Sequence, residues 1–157
     1  MLDDIYCSAV ERDGMALVHI KNPSSKVCLA AVRQNGRAIE FIDCPTFEMC
    51  RLAVRTHGLA LEWAPHQTPE MCLDAVRQNG DALKFVVSQS EEICLAAVEK
   101  TPLALKWAKF KTSKVCMAAI CGNPSALFFV DKQTPDLCLA AIERDPMAVA
   151  YVNKNDF

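Results

Sequence analysis

A row of recurring arginines contains the first side chains of this sequence that could bind a ligand or partner. Three of them recur at an interval of 22 residues: Arg33, Arg55 and Arg77. Three more polar residues stand close to them in the sequence: Arg37, Gln34 and Gln78. Guanidinium groups aligned on neighbouring helices could form a cationic groove for a carboxylate, a phosphate or an acidic protein partner. A solvated helix face is the alternative interpretation, because Glu99 and Glu143 stand in the same column farther along.

Cysteine is the second recurring reactive residue, and six of the nine cysteines follow the same interval: Cys28, Cys50, Cys72, Cys94, Cys116 and Cys138. Equivalent positions of packed helices lie about 9 to 10 Å apart, which exceeds the ~7 Å Cα separation that a disulfide spans. The same distance excludes a metal ion shared between repeats. We therefore predict a ladder of small buried side chains in a reducing, cytoplasmic environment. Cys121, which replaces a charged residue in its column, and the loop residue Cys44 are the candidates for exposed thiols.

Groups for catalysis are few. The three histidines are His19, in a column of rings, His57, at a predicted helix corner, and His66, in a predicted loop. No nucleophile, base and orienting acid stand at a spacing that would assemble them, and no glycine-rich phosphate loop is present. We predict a protein that is not an enzyme and that has no catalytic residues, metal site or cofactor.

The elements that must position these side chains are internal repeats, which are the first feature to look for in a sequence. Seven copies of 22 residues follow one another without insertion, with reference positions at Tyr6 and at the six cysteines of the ladder. Alanine stands three and ten residues after the reference position in every copy. A ring residue stands thirteen after it: His19, Phe41, Trp63, Phe85, Trp107, Phe129 and Tyr151. We expect these rings to belong to the core.

Phrases such as CLAAVRQNGRAIEFI and CLDAVRQNGDALKFV resemble a known short helical repeat with a consensus near LAAVKQNGxALxYA. That repeat is catalogued as a domain of unknown function in bacterial, protist and large-virus proteins. The resemblance covers essentially the whole chain. The chain departs from the family in its tighter spacing and in the cysteine at the reference position, where an aliphatic residue is more usual. The resemblance implies a helical fold and no particular chemistry.

Each copy is predicted to form two short helices. A Ser or Thr stands four residues before the reference position in copies two to seven, where its hydroxyl can cap the first helix. Glycine at Gly36, Gly58 and Gly80 is expected to end that helix in the left-handed conformation. Pro102, Pro124 and Pro146 replace this glycine in later copies and are expected to open the second helix.

The predicted fold is an all-α solenoid of seven two-helix repeats, forming a single domain over residues 1–157. Odd and even copies differ, which indicates a higher period of 44 residues. Odd copies carry an apolar residue nine after the reference position: Met15, Leu59, Leu103 and Met147. This column could be core or a stripe that binds a partner. The last copy lacks a polar cap, and Met147, Tyr151 and Phe157 mark a possible end for self-association into a homo-oligomer. The alternative is that Tyr6, Tyr151 and Phe157 fold over the ends and cap them.

Composition excludes several classes of function. The formal net charge of −2 leaves no strongly basic surface for a nucleic acid or an anionic membrane. No apolar run reaches the ~18 to 20 residues of a membrane span and no signal segment precedes the first copy, so a soluble, unprocessed protein is expected.

We predict a non-enzymatic protein-binding or scaffolding module, including one that inhibits or titrates a host or defence factor. The alternative is a binder of an anionic small ligand or nucleic acid through Arg33, Arg55 and Arg77.

Overall fold

The computed structural model describes residues 1–156, and all the regular secondary structure in that range is helical. Seven α-helices are present: α1 (Leu2–Arg12), α2 (Ser25–Gln34), α3 (Phe47–Thr56), α4 (Pro69–Gln78), α5 (Glu91–Lys100), α6 (Ser113–Gly122) and α7 (Pro135–Arg144). Each is followed by a 3₁₀ helix: η1 (Gly14–His19), η2 (Gly36–Phe41), η3 (Gly58–Trp63), η4 (Gly80–Phe85), η5 (Pro102–Trp107), η6 (Pro124–Phe129) and η7 (Pro146–Tyr151). A last short turn, η8, spans Lys154–Asp156. The predicted all-α fold of seven consecutive two-helix repeats is confirmed.

The second helix of every repeat is a 3₁₀ helix of six residues. Its hydrogen bonds connect residues three apart, as from the Val86 amide to the Leu83 carbonyl at 3.2 Å. A 3₁₀ helix rises about 2 Å per residue against about 1.5 Å in an α-helix. Six residues therefore span a length close to that of the ten-residue α-helix beside them.

The predicted helix caps are confirmed. The hydroxyl of Thr68 accepts a hydrogen bond from the Met71 amide at 3.2 Å, and Thr46 accepts one from Met49 at 3.3 Å. Ser24, Ser90, Thr112 and Thr134 cap their helices in the same way. The asparagine or aspartate that follows an α-helix caps the 3₁₀ helix instead, as Asn79 does by accepting from the Asp81 amide at 3.0 Å.

The prediction of left-handed glycines is wrong, because none of the described glycines has a positive φ. The residue before the glycine ends the α-helix in an extended conformation, with φ −149° and ψ 112° at Asn79. Glycine is required by close packing instead. A β-carbon at Gly14 would lie 2.5 Å from the carbonyl oxygen of Ala31 on the next repeat, and one at Gly80 would collide with the Ala97 carbonyl.

The chain divides into two compact units, residues 1–78 (unit 1) and Asn79 onward (unit 2). Within each unit the α-helices pack on one another in chain order, and so do the 3₁₀ helices, giving an α layer and a 3₁₀ layer. The core lies between the layers. Met71, Cys72, Ala75 and Val76 are all buried on α4, as their spacing predicts, and the six ladder cysteines are buried as well.

Proline at the start of η5 is matched by a glycine on the neighbouring helix. A β-carbon at Gly122, the last residue of α6, would collide with the ring of Pro102. We expect Gly122→Ala to lower the free energy of unfolding by about 1 to 3 kcal/mol, because the pyrrolidine ring cannot turn aside. In a Pro102→Gly background the same alanine should be neutral or stabilising, since alanine is the better helix former. Urea unfolding of the two single variants and the double variant measures this coupling, and additive effects would contradict it.

Candidate functional site

The predicted arginine row lies in the last turns of α2, α3 and α4, and all three side chains are exposed. Arg33 and Arg55 line one small cleft of about 80 Å³ between α2 and α3, together with Glu48, Arg51 and Leu52. Arg77 does not line this cleft. No ion pair within residues 1–156 includes an arginine. The cleft thus holds three guanidinium groups and one carboxylate.

Arg51 is the member of this cluster that the sequence analysis missed. It stands one residue after the reference position, where the four later copies carry leucine or methionine. On α3 it lies one helical turn before Arg55, so both side chains emerge on the same face. The charged residue in an otherwise apolar column was the available signal.

Gln34 and Gln78 were predicted to assist the arginines, and the structure gives both amides another role. The side-chain oxygen of Gln34 accepts from the Gly14 amide at 2.7 Å, and its nitrogen donates to the Arg12 carbonyl at 3.3 Å. Gln78 makes the same pair of bonds to Gly58 and Thr56, at 2.8 and 3.2 Å. These glutamines join consecutive repeats of unit 1.

Arg37 lies apart from the arginine row, in a second cleft of about 330 Å³ formed by η2 and η3 of unit 1. Eight residues line the cleft, four of them apolar and four polar: Ile39, Leu59, Ala60 and Trp63, and Arg37, Glu40, His57 and Glu62. Burial lowers the pKa of the His57 imidazole, and the charge of Arg37 lowers it further, while Glu40 acts in the opposite direction. His57 is therefore neutral at neutral pH, and Arg37 carries the positive charge of this cleft.

The ring column does not belong wholly to the core, so that prediction is wrong for the odd copies. Trp63, Trp107 and Tyr151 are 44%, 41% and 37% exposed, and His19 is exposed too. The even copies half-bury their phenylalanines: Phe41, Phe85 and Phe129. The predicted alternation of odd and even copies is thus present in the exposure of the rings.

In unit 2 the pair that corresponds to Leu59 and Trp63 is Leu103 and Trp107, both partly exposed. The ammonium group of Lys106 lies over the indole of Trp107, 5.1 Å from the ring centroid. Another exposed apolar feature of unit 2 is the aromatic pair of Phe128 on η6 and Tyr151 on η7, whose ring centroids are 6.2 Å apart in an edge-to-face arrangement. Exposed apolar groups with polar neighbours are typical of surfaces that bind a partner.

The predicted self-association end is uncovered. Met147 is 73% exposed. Val149 is 61% exposed, although the residue that corresponds to Val149 is at most 2% exposed in each of the six preceding repeats. Phe157 lies outside the described residues. Association through this end stays a prediction.

Both candidate thiols, Cys44 and Cys121, are exposed as predicted. Burial raises the pKa of five ladder cysteines: Cys28, Cys50, Cys72, Cys116 and Cys138. Several ladder cysteines donate weak hydrogen bonds, as Cys94 does to the Gln89 side-chain oxygen at 3.3 Å. The described residues contain no group of three or more His, Cys, Asp or Glu side chains placed to hold a metal ion. No helix among residues 1–156 has the length and apolarity needed to cross a membrane.

Comparisons with known proteins give no relative. No family model matches the chain, and no curated protein or solved structure is significantly similar to it. The resemblance to the short helical repeat of unknown function therefore stays a prediction.

Proposed function

We propose that the chain is a non-enzymatic protein-binding module that contacts its partner through the 3₁₀ layer. The observation that carries the proposal is the cleft between η2 and η3, where Trp63 is 44% exposed beside Leu59 and Arg37. Tryptophan and arginine are the residue types that most often dominate the binding energy of protein interfaces. A concave surface lined by both apolar and charged side chains suits the insertion of a partner's side chain.

Exposure of these rings is not required by the packing of the repeats. The even copies place a phenylalanine at the same position and half-bury it. Leaving a large apolar side chain in water forgoes about 1.5 to 3 kcal/mol of burial. The repetition of the exposed Leu and Trp pair at Leu103 and Trp107 in unit 2 supports a binding role at both places. The buried thiols suit a reducing compartment, and we place the protein in the cytoplasm.

A second candidate function is the binding of an anion in the cleft between α2 and α3. Arg33, Arg51 and Arg55 line this cleft and form no ion pair within residues 1–156, and Glu48 supplies the one carboxylate among the described lining residues. Guanidinium groups bind carboxylate and phosphate groups through paired hydrogen bonds. An acidic partner or small anion bound here would dissociate as the salt concentration rises.

The experiment that tests both candidates is capture of partners from a lysate by three forms of the tagged protein. The first is the wild type, the second carries Leu59→Asp and Trp63→Asp, and the third carries Arg51→Glu and Arg55→Glu. All four replaced residues are at least partly exposed, so the fold should persist, which circular dichroism would verify. We expect one partner to bind the wild type and the arginine variant equally. The Leu59→Asp, Trp63→Asp variant should bind that partner at least tenfold more weakly, because a hot-spot residue contributes about 2 kcal/mol or more.

Retention that falls with salt and disappears in the arginine variant would favour the anion site instead. A partner that all three forms retain equally would overturn both assignments.

A further inference from the structure

The two exposed Leu and Trp pairs lie on corresponding surfaces whose charges are opposite. Surface 1 belongs to η2 and η3 of unit 1, and surface 2 belongs to η4 and η5 of unit 2. The residues of surface 1 are Arg37, Glu40, Leu59, Glu62 and Trp63. The residues 44 positions later, which form surface 2, are Asp81, Lys84, Leu103, Lys106 and Trp107.

The apolar centre is the same in both surfaces. Leu59 is the second and Trp63 the last residue of η3, and Leu103 and Trp107 hold the same places on η5. Trp63 is 44% and Trp107 41% exposed, so the two indoles present similar areas to solvent. Each surface thus offers one aliphatic and one aromatic group to a partner.

The charged groups around this centre are reversed at all three positions. Arg37 corresponds to Asp81, a cation to an anion, and Glu40 and Glu62 correspond to two lysines: Lys84 and Lys106. None of these six residues takes part in the ion pairs formed within residues 1–156. The next pair of repeats differs, since it carries the uncharged residues Ser125, Phe128 and Ala150 at these positions. Surface 1 therefore has two carboxylates and one guanidinium, and surface 2 has two ammonium groups and one carboxylate.

We propose that surface 1 of one copy docks on surface 2 of a second copy of this chain. The proposal rests on the proposed function, because it names a partner for the protein-binding 3₁₀ layer. Burial of both Leu and Trp pairs removes apolar area from water. Opposite charges around the centre orient the two surfaces. Contact of surface 1 with another surface 1 is disfavoured, because the carboxylates of the two copies would repel each other. Each copy carries both surfaces, so the contact is heterologous, head to tail, and a copy can bind a second one through either surface.

The lysines are held in a way that fits this role. The ammonium group of Lys84 lies 4.5 Å from the centroid of the Phe85 ring, and that of Lys106 lies 5.1 Å from the centroid of the Trp107 ring. Both lysines are exposed, and Lys106 lies at the aromatic residue of surface 2. A carboxylate of surface 1 would thus meet a lysine whose position is already restricted, which reduces the entropy lost on binding.

A charge exchange tests the proposal. One variant carries Glu40→Lys and Glu62→Lys, which makes both surfaces positive; the other carries Lys84→Glu and Lys106→Glu, which makes both negative. Sedimentation velocity under reducing conditions, needed because Cys44 and Cys121 are exposed, measures self-association over a range of concentrations. We expect the wild type to associate reversibly, each variant alone to associate at least tenfold more weakly, and the equimolar mixture to recover the wild-type affinity.

A control variant with Glu11→Lys and Glu70→Lys changes the net charge equally on exposed positions of α1 and α4. It should self-associate like the wild type and should not pair with the Lys84→Glu, Lys106→Glu variant more tightly than the wild type does. A monomeric wild type, variants that associate normally, or a mixture without recovery would each overturn the proposal. The proposed function would then still stand if a captured partner were lost from the Leu59→Asp, Trp63→Asp variant.

Discussion

Replacing Leu105 by alanine is expected to lower the free energy of unfolding by about 2 to 5 kcal/mol, the range for a leucine removed from a well-packed core. Leu105 lies on η5 in unit 2 and is completely buried. Because η4 and η6 pack on both sides of η5, the cavity left by the substitution cannot easily be filled. Its backbone carbonyl accepts from the Ala108 amide at 3.1 Å, a bond that alanine preserves, so the loss reports on side-chain packing alone.

The control for this prediction is Val149→Ala. Val149 occupies the same column of the repeat on η7, but it is 61% exposed. Since little area is buried there, we expect a loss of less than about 0.5 kcal/mol, as for an ordinary surface substitution. Urea unfolding followed by circular dichroism measures both variants. Equal losses would show that position in the repeat decides stability and that burial does not.

Replacing Gln133 by leucine is expected to lower the free energy of unfolding by about 2 to 4 kcal/mol. Gln133 is 5% exposed, and its side chain joins η6, η7 and the segment that follows. Its nitrogen donates to the carbonyls of Leu127 and Tyr151 at 3.1 and 2.9 Å, and its oxygen accepts from the Asn153 amide at 2.8 Å. Leucine removes one buried and two part-buried hydrogen bonds, and a backbone group left without its partner away from water costs about 1 to 3 kcal/mol.

Two further variants make this prediction specific. Gln133→Glu keeps an acceptor for Asn153 but cannot donate to the two carbonyls, so it should also destabilise. Gln78→Leu removes a similar pair of inter-repeat bonds from an exposed side chain. Water can replace the lost partner at the exposed Thr56 carbonyl, so this variant should cost less than half as much. If Gln133→Leu and Gln78→Leu lowered the free energy of unfolding by the same amount, the burial of the Gln133 side chain would not explain the loss.

Much of the fold follows from the sequence because it is set by local and repeated interactions. A hydroxyl four residues before Cys72 predicts the cap that Thr68 provides, and the spacing of Met71, Ala75 and Val76 predicts the face that is buried. Proline at position 102 predicts the start of the second helix. Each of these needs only the chain near it and the knowledge that a similar repeat lies beside it.

Features that depend on the distance between repeats could not be obtained in this way. Glycine at position 80 was interpreted through its own φ, but it is needed because the Ala97 carbonyl of the next repeat lies so close. Gln34 was assigned to a ligand, but its amide bonds to Gly14 and Arg12 twenty or more residues away. Arg51 joins Arg33 only because α2 packs beside α3.

The sequence by itself therefore determined the repeat, its two helices, their caps and the buried cysteine and alanine columns, since these depend on periodicity and on hydrogen bonds between near neighbours. Only the tertiary structure decided which rings remain in water, which arginines share a cleft and which polar side chains link the repeats. A column of similar residues does not say how far each one is covered. That depends on the side chains that the neighbouring repeat places over it, as the contrast between half-buried Phe85 and the more exposed Trp107 shows.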